Sequence, residues 1–204
     1  MSPEELPLFP LRTVLFPGGN LPLRIFEPRY LDMIKRCMRE DRGFGVVLIR
    51  SGVEARTDRN ANQPDIFSFG TEATVVDFNQ LSDGLLGVVA RGGRKFRVDE
   101  TWEQDDHLMM GRVQICPEEP VGTLTDEHDG LVAILRDLVV HPMIQKMQLE
   151  VDFDDARSVS WRLSELLPIE PEIKQSLLQL GYPRERLAEL ARLVDKLRGD
   201  SAAH

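Results

Sequence analysis

The pattern of hydrophobic and polar positions changes once along the chain, near residue 118. Before that point, apolar residues form short runs separated by proline, glycine, asparagine and aspartate, which is typical of β-strands joined by turns. After it, apolar residues recur every three or four positions, which is typical of amphipathic helices. The sequence therefore predicts an α+β protein with a β-rich part over residues 1–118 and an α-helical part over residues 119–204.

Residues 6–31 are the most informative stretch. Two apolar runs, residues 6–11 and 14–16, are interrupted by proline, and Pro17-Gly18-Gly19-Asn20 precedes a third run over residues 21–26. Because proline has no N–H group and a fixed φ, these strands should be short and lie at an edge or bend sharply. The glycines supply the backbone conformations of a tight turn.

A helix should follow directly over residues 28–40. Pro28 suits a first helical position, where its missing N–H costs nothing, and Glu27 is the predicted cap. Apolar side chains recur at helical spacing at Phe26, Tyr30, Met33 or Ile34, and Cys37. This stripe should pack on the preceding strands.

The middle of the chain predicts further strands and turns. A central strand is expected over residues 44–50, a loop over 51–65, and a strand pair or one strand kinked at Gly70 over 66–78. Asp83-Gly84 predicts a tight hairpin, and Gly92-Gly93 predicts a second turn between strands over residues 85–90 and 94–102. A last strand is expected over residues 107–116.

Four helices are predicted in the second part. The first is centred on residues 131–139, and the second is capped by Asp154 or Asp155 and stopped by Pro168. The third runs from Pro171 to a carboxy-terminal cap at Gly181, and the fourth begins at Pro183. Such short helices need neighbours to cover their apolar faces.

The segment LPLFPLRTVLFPGGNLPLRIFEPRY resembles the opening of the LON domain, the amino-terminal substrate-recognition domain of ATP-dependent Lon proteases. The domain also occurs in cereblon and in small stand-alone bacterial proteins, whose length this chain resembles most. The resemblance continues through a GT-x-A-x-V strand, an L-x-DG turn and a G-x-x-R-F-x-V strand. The family-motif residues singled out are Pro10, Pro17, Gly18, Pro22, Phe26, Glu27, Arg29, Tyr30, Asp83 and Gly84.

The resemblance implies a PUA-like β pseudobarrel with one packed helix, followed by an α-helical subdomain. It also implies a non-catalytic, proteolysis-related module that recognises unfolded or degron-bearing polypeptides. The chain has no Gly-Lys dipeptide for a Walker A loop, and Ser160 and Lys174 lie on different predicted helices, so no catalytic residues are expected. At the E-P-R motif, Arg29 either holds an acidic substrate group, or ties the helix to the barrel while Glu27 caps it; the second interpretation is favoured.

Composition and charge narrow the classes of partner. The net charge of −9 and pI near 5.0 argue against nucleic acid, including RNA binding by analogy with other PUA-like barrels. No apolar run approaches the ~20 residues of a membrane span, and no secretory signal is evident, so a cytoplasmic protein without membrane contact is expected. Cys37 and Cys116 fit free thiols in a reducing compartment. The four histidines lack metal-ligand spacing, so neither metal nor cofactor is expected.

Adjacent apolar residues mark a candidate peptide-binding patch at Leu85, Leu86, Leu108, Met109 and Met110. Because neighbouring strand residues point to opposite faces, one of each pair must be covered, either by the helical half or by an unfolded segment of another protein. The alternative function is a small-molecule-binding or regulatory domain, or a hydrolase, that uses a cleft between barrel and helices. Converging polar groups with perturbed pKa values in a deep cleft would favour that alternative.

Overall fold

A computed structural model describes residues 3–54 and 63–202, with side chains up to residue 199. Six strands are described: β1 (Glu4–Leu11), β2 (Asn20–Ile25), β3 (Phe44–Ser51), β4 (Asp65–Gln80), β5 (Leu86–Glu103) and β6 (Met109–Ile115). Together with the helices they confirm the α+β class. Most of the loop predicted over residues 51–65 lies outside the described residues.

The strands form one mixed sheet in the order β2-β5-β4-β3-β1-β6. β1 and β3 are parallel, and the other pairings are antiparallel. β5 also pairs with β6, and its partner changes from β4 to β6 around Phe96 and Arg97. The pairings thus run in a ring through β1, β3, β4, β5 and β6, and β3 has the predicted central position.

The predicted turn at Gly92-Gly93 is wrong, because β5 runs through both residues without a break. Gly92 instead allows the first turn to approach closely: a Cβ atom there would lie 2.3 Å from the carbonyl oxygen of Phe16. The main chain of Gly92 accepts a hydrogen bond from Gly18 N and donates one to Gly19 O. The glycine therefore serves a close main-chain contact between two segments distant in sequence.

Residues 66–78 belong to one strand, β4, and its register with β3 shifts between Ile66 and Gly70, next to the predicted kink. Its register with β5 shifts further along, at Thr71/Ala73 and Val75/Asp77. A Cβ atom on Gly70 would lie 2.6 Å from the ring of Phe96. Here the missing side chain makes room for a buried aromatic ring.

Helix α1 (Pro28–Glu40) has the predicted bounds and begins at proline. Its buried face carries Tyr30, Met33, Ile34 and Cys37, which join Phe9 and other strand residues in the main hydrophobic core of the sheet. The rings of Phe9 and Tyr30 lie 4.1 Å apart between centroids. Burial raises the pKa of the Cys37 thiol above its ordinary value, so this cysteine is an inert core residue.

The second part contains α2 (Asp129–Val139), α3 (Pro142–Gln145), α4 (Ala156–Leu166), α5 (Pro171–Gln179) and α6 (Pro183–Ala202), with a 3₁₀ turn at Asp126–His128. The four predicted helices are confirmed as α2, α4, α5 and α6; the 3₁₀ turn and the four-residue α3 were not predicted. Asp155 caps α4 by accepting a hydrogen bond from Arg157 N at 2.9 Å. Gly181 is not a left-handed cap, because Leu180 already leaves the helical conformation with ψ 138°.

The described chain separates into two compact units, Met1–Glu118 and Glu119–His204. The first unit contains two hydrophobic clusters, one around α1 and one around Phe96. The second buries apolar side chains from α2, α4, α5 and α6, among them Leu135, Leu163, Leu177 and Leu190.

Candidate functional site

Arg29 and Glu27 form a nearly buried ion pair at the start of α1. The guanidinium lies 2.8 Å from the Glu27 carboxylate, and the two side chains are 8% and 13% exposed. Arg29 also donates a hydrogen bond to His107 O at 2.9 Å and lies over the ring of Tyr30. Because these groups engage both terminal nitrogens of the guanidinium, the contacts favour a role in joining α1 to the β5–β6 connection over binding of an acidic substrate.

Glu27 is the N-cap residue of α1, as predicted, but its side chain makes no capping hydrogen bond. Its carboxylate accepts no hydrogen bond from a main-chain N–H of the first turn and pairs with the side chain of Arg29 instead. Its main-chain carbonyl accepts hydrogen bonds from Tyr30 N and Leu31 N. The helix therefore begins through its own backbone and through Pro28.

The remaining motif residues mostly build turns and strands. Pro10 lies in β1 opposite Val47, Pro22 lies in β2 opposite Val89, and Gly18 has a φ of +72°, which glycine adopts without strain. The hairpin predicted at Asp83-Gly84 is confirmed: Gly84 has a φ of +83°, and Asp83 accepts a hydrogen bond from Leu85 N. That hydrogen bond, with the nearby charge of Arg24, lowers the pKa of Asp83 below its ordinary value.

The structure does not bring the predicted peptide-binding patch together on the surface. Leu108 and Met109 are 0% and 3% exposed and belong to the two different hydrophobic clusters. Met110 is partly buried against the cluster around α1. Both faces of the start of β6 are therefore covered, which removes Leu108 and Met109 as accessible residues.

A different apolar surface lies where β2 and β4 end and β5 begins. Phe26, Val76 and Phe78 are 56%, 53% and 57% exposed. We name these three residues, with the partly buried Leu85 and Leu86, the ribbon surface.

The strand pairings place Phe78 and Leu86 on one face, while Val76 lies at a register shift of β4 and Phe26 directly follows β2. Phe78 pairs with Val88, and Leu86 pairs with both Gln80 and Ile25, the residue before Phe26. Directly opposed residues of paired strands share a face, so Phe78 continues the core-facing column of Val88 beyond the covered part of the sheet. The sequence predicted Leu85 and Leu86 here but missed Val76 and Phe78. It placed Phe26 on the packed stripe of the first helix, which is wrong because this ring is 56% exposed.

The free edge of β2 is poorly suited to strand addition. Among the described strands β2 pairs with β5 alone, and Leu21 and Leu23 keep regular register on either side of exposed Pro22. Because proline has no N–H, a strand adding at this edge would lack a donor near its centre. A partner that packs against the ribbon surface through apolar side chains needs no main-chain donor from β2.

Ser160 and Lys174 do not form a catalytic pair. Ser160 Oγ donates to Arg157 O and accepts a hydrogen bond from the buried guanidinium of Arg186. Lys174 Nζ donates to Glu165 O at 2.6 Å, and partial burial lowers the pKa of Lys174.

Residues 3–54 and 63–202 lack two features that would indicate a membrane span or a metal site. No helix there is long and apolar enough to cross a membrane. That part of the chain also holds no group of three or more histidine, cysteine or acidic side chains placed to bind a metal.

Comparisons with known proteins agree with the fold. The family model of the ATP-dependent protease La (LON) substrate-binding domain matches residues 5–196. A crystal structure of a Lon N-terminal domain protein from Xanthomonas campestris is 37% identical, with a TM-score of 0.75, and covers 93% of this chain and 98% of that one. The N-terminal domain of a Mycobacterium avium complex Lon protease shares the fold at 17% identity and a TM-score of 0.58.

Curated relatives are longer than this chain. The Lon protease of Cytophaga hutchinsonii is 28% identical over an alignment of 205 positions. The alignment covers 95% of this chain but 24% of the relative. Protein cereblon of Danio rerio is 32% identical over 121 residues, 57% of this chain and 26% of the relative. The chain thus spans about a quarter of the length of these relatives. Since the family model covers nearly all of it, the chain belongs to the LON substrate-binding domain family.

Proposed function

We propose that this chain binds apolar segments of unfolded or degron-bearing polypeptides reversibly and without chemistry, on the ribbon surface. The observation that carries the proposal is that Phe78, which is 57% exposed, shares a face with Leu86, while the exposed Val76 lies on the same strand as Phe78 and the exposed Phe26 directly follows β2. Large apolar side chains clustered on a surface gain free energy when a partner covers them, at about 25 cal/mol per Å² of apolar area. The description of the family as a substrate-binding domain supports the same function.

The small-molecule and hydrolase alternatives gain no support in the first unit. Tyr30, Met33 and Ile34 fill the space between α1 and the sheet with apolar side chains. The perturbed carboxylate there, Asp83, is an exposed turn residue whose pKa is lowered by its own turn and by Arg24. A lowered pKa in an exposed ion pair has a structural cause and indicates no catalytic acid or base.

Fluorescence anisotropy with a labelled, permanently unfolded polypeptide tests the proposal. We expect saturable binding that persists in moderate salt, because apolar contacts are not screened. A Val76→Ser and Phe78→Ser double variant should bind about tenfold more weakly, the loss typical of an aromatic anchor at an interface. Both residues are exposed, so the variant should fold normally, which circular dichroism would confirm.

Met38→Ser is the matched control, because Met38 is 43% exposed but lies on α1, away from the ribbon surface. It should bind as the unchanged protein does. Absence of binding at ~100 μM protein, or equal losses in the control and the double variant, would refute the proposal.

A further inference from the structure

The second unit contains a groove of about 720 Å³ that the function proposed above does not use. One wall is the first half of α6, and the other is the chain from Pro120 to His128. Small side chains dominate the lining, including Gly122, Ala156, Ala188 and Ala191. Tyr182, which is 58% exposed, adds an aromatic ring. A groove with small walls and one accessible aromatic ring admits the main chain of a ligand as well as its side chains.

The wall before the 3₁₀ turn offers main-chain groups at Thr123 that no described hydrogen bond uses. Residues 120–125 belong to no described helix or strand. Gly122 is held in place, because its N–H donates to Asp155 Oδ1 and its carbonyl accepts from Ala156 N. None of the described hydrogen bonds uses the main chain of Thr123, the exposed neighbour that also lines the groove. An extended peptide lying alongside could pair with these groups.

Charge gives the preferred composition of such a peptide. Glu127, Glu185 and Arg184 line the groove, and none of them takes part in an ion pair within the described part of the chain. Two carboxylates against one guanidinium leave the groove acidic. The whole second unit has the same bias, since residues 119–204 hold 16 acidic and 10 basic side chains. Basic ligands are therefore favoured over acidic ones.

We propose that this groove binds an extended polypeptide segment that combines small apolar and basic side chains. The ligand's main chain lies along residues 120–125, its small apolar side chains enter between Gly122 and Ala188, and its basic side chains face Glu127 and Glu185. The groove lies entirely within the second unit, whereas the ribbon surface lies within the first. The two sites can therefore be tested separately.

The test uses the full chain and a labelled peptide of about eight residues that alternates valine with lysine, long enough to lie extended along the groove. A matched peptide has glutamate in place of lysine. We expect saturable binding of the lysine peptide and at least tenfold weaker binding of the glutamate peptide. Ala188→Arg should weaken binding of the lysine peptide at least tenfold, because its side chain blocks the groove and repels the ligand. Ala133→Arg, at an exposed alanine of α2, is the matched control and should leave binding unchanged.

A second pair of variants isolates the charge. Glu127→Gln with Glu185→Gln should weaken binding of the lysine peptide about threefold to tenfold, as expected for two exposed charges. Glu172→Gln with Asp195→Asn removes the same charge outside the groove and should have little effect; Glu172 occupies the first turn of α5 as Glu185 does in α6. Val76→Ser with Phe78→Ser should retain peptide binding. Equal affinity for the two peptides, or equal losses in a variant and its matched control, would overturn the proposal.

Discussion

Arg186 shows how one buried charge organises the second unit. It is 0% exposed, although arginine is rarely buried in proteins. Its guanidinium lies over the ring of Trp161, and its donors are all used, by the main-chain carbonyls of Leu177 and Leu180, the hydroxyl of Ser160 and both carboxylate oxygens of Glu119. Buried charges are tolerated when they are paired and hydrogen-bonded in this way.

Removing Glu119 should therefore destabilise the protein strongly. Glu119→Ala leaves Arg186 buried without its counter-charge, and we expect a loss of about 3–5 kcal/mol in the free energy of unfolding. Chemical denaturation followed by Trp161 fluorescence or far-ultraviolet circular dichroism measures it. Asp195→Ala, which removes an exposed carboxylate of α6, should change the free energy of unfolding by less than about 0.5 kcal/mol. A loss under about 1 kcal/mol for Glu119→Ala would contradict this account of the pair.

At the scale of elements, the sequence predicted segments whose signals are local. The bounds of α1 follow from Pro28 at its start and from the apolar spacing of Tyr30 to Cys37, and both signals lie within the helix itself. The turn predicted at Gly92 was wrong because this glycine serves a close contact with Phe16, which is distant in sequence. A glycine that permits a close contact looks the same in sequence as one that makes a turn.

The site was predicted less well than the fold for the same reason. Met109 and Phe78 are both apolar strand residues, yet one is 3% and the other 57% exposed. The difference depends on how far the core extends along each strand, which local patterning does not report. Arg186 was missed although it lies four residues before Leu190, on the buried face of α6, because a charged residue ordinarily indicates an exposed position, as it does at Arg184.

The edge strand β2 supports a prediction about association. Pro22→Thr restores a main-chain donor on the edge that pairs with no described strand, so we expect concentration-dependent self-association. Threonine favours strands, and the monomer fold should be kept. Sedimentation velocity over a range of concentrations measures the effect. Pro168→Thr, at an exposed proline of the second unit, is the control and should sediment as the unchanged protein does. If Pro22→Thr stays monomeric at all concentrations, Pro22 does not protect this edge.

At the scale of the whole molecule, the two compact units suggest two folding domains. Each has its own buried apolar residues, and the chain between them changes from strand to helix patterning close to residue 118. We propose that residues 1–118 form a LON-type β domain and residues 119–204 an α-helical domain, each able to fold alone. Both exceed the roughly 40 residues below which a core alone rarely suffices.

The ion pair between Glu119 and Arg186 predicts that the helical domain begins at Glu119. A fragment of residues 119–204 should show a cooperative helical unfolding transition, since it keeps the ion pair between Glu119 and Arg186. A fragment of residues 121–204 loses only two residues but leaves Arg186 uncompensated, so its free energy of unfolding should be lower by about 3 kcal/mol or more. Thermal and urea unfolding followed by circular dichroism compares them. Adding Arg186→Met to the shorter fragment removes the unpaired charge and should recover part of the loss. If both fragments unfold alike, the domain boundary does not depend on Glu119; if neither folds, the helical part is not an independent domain.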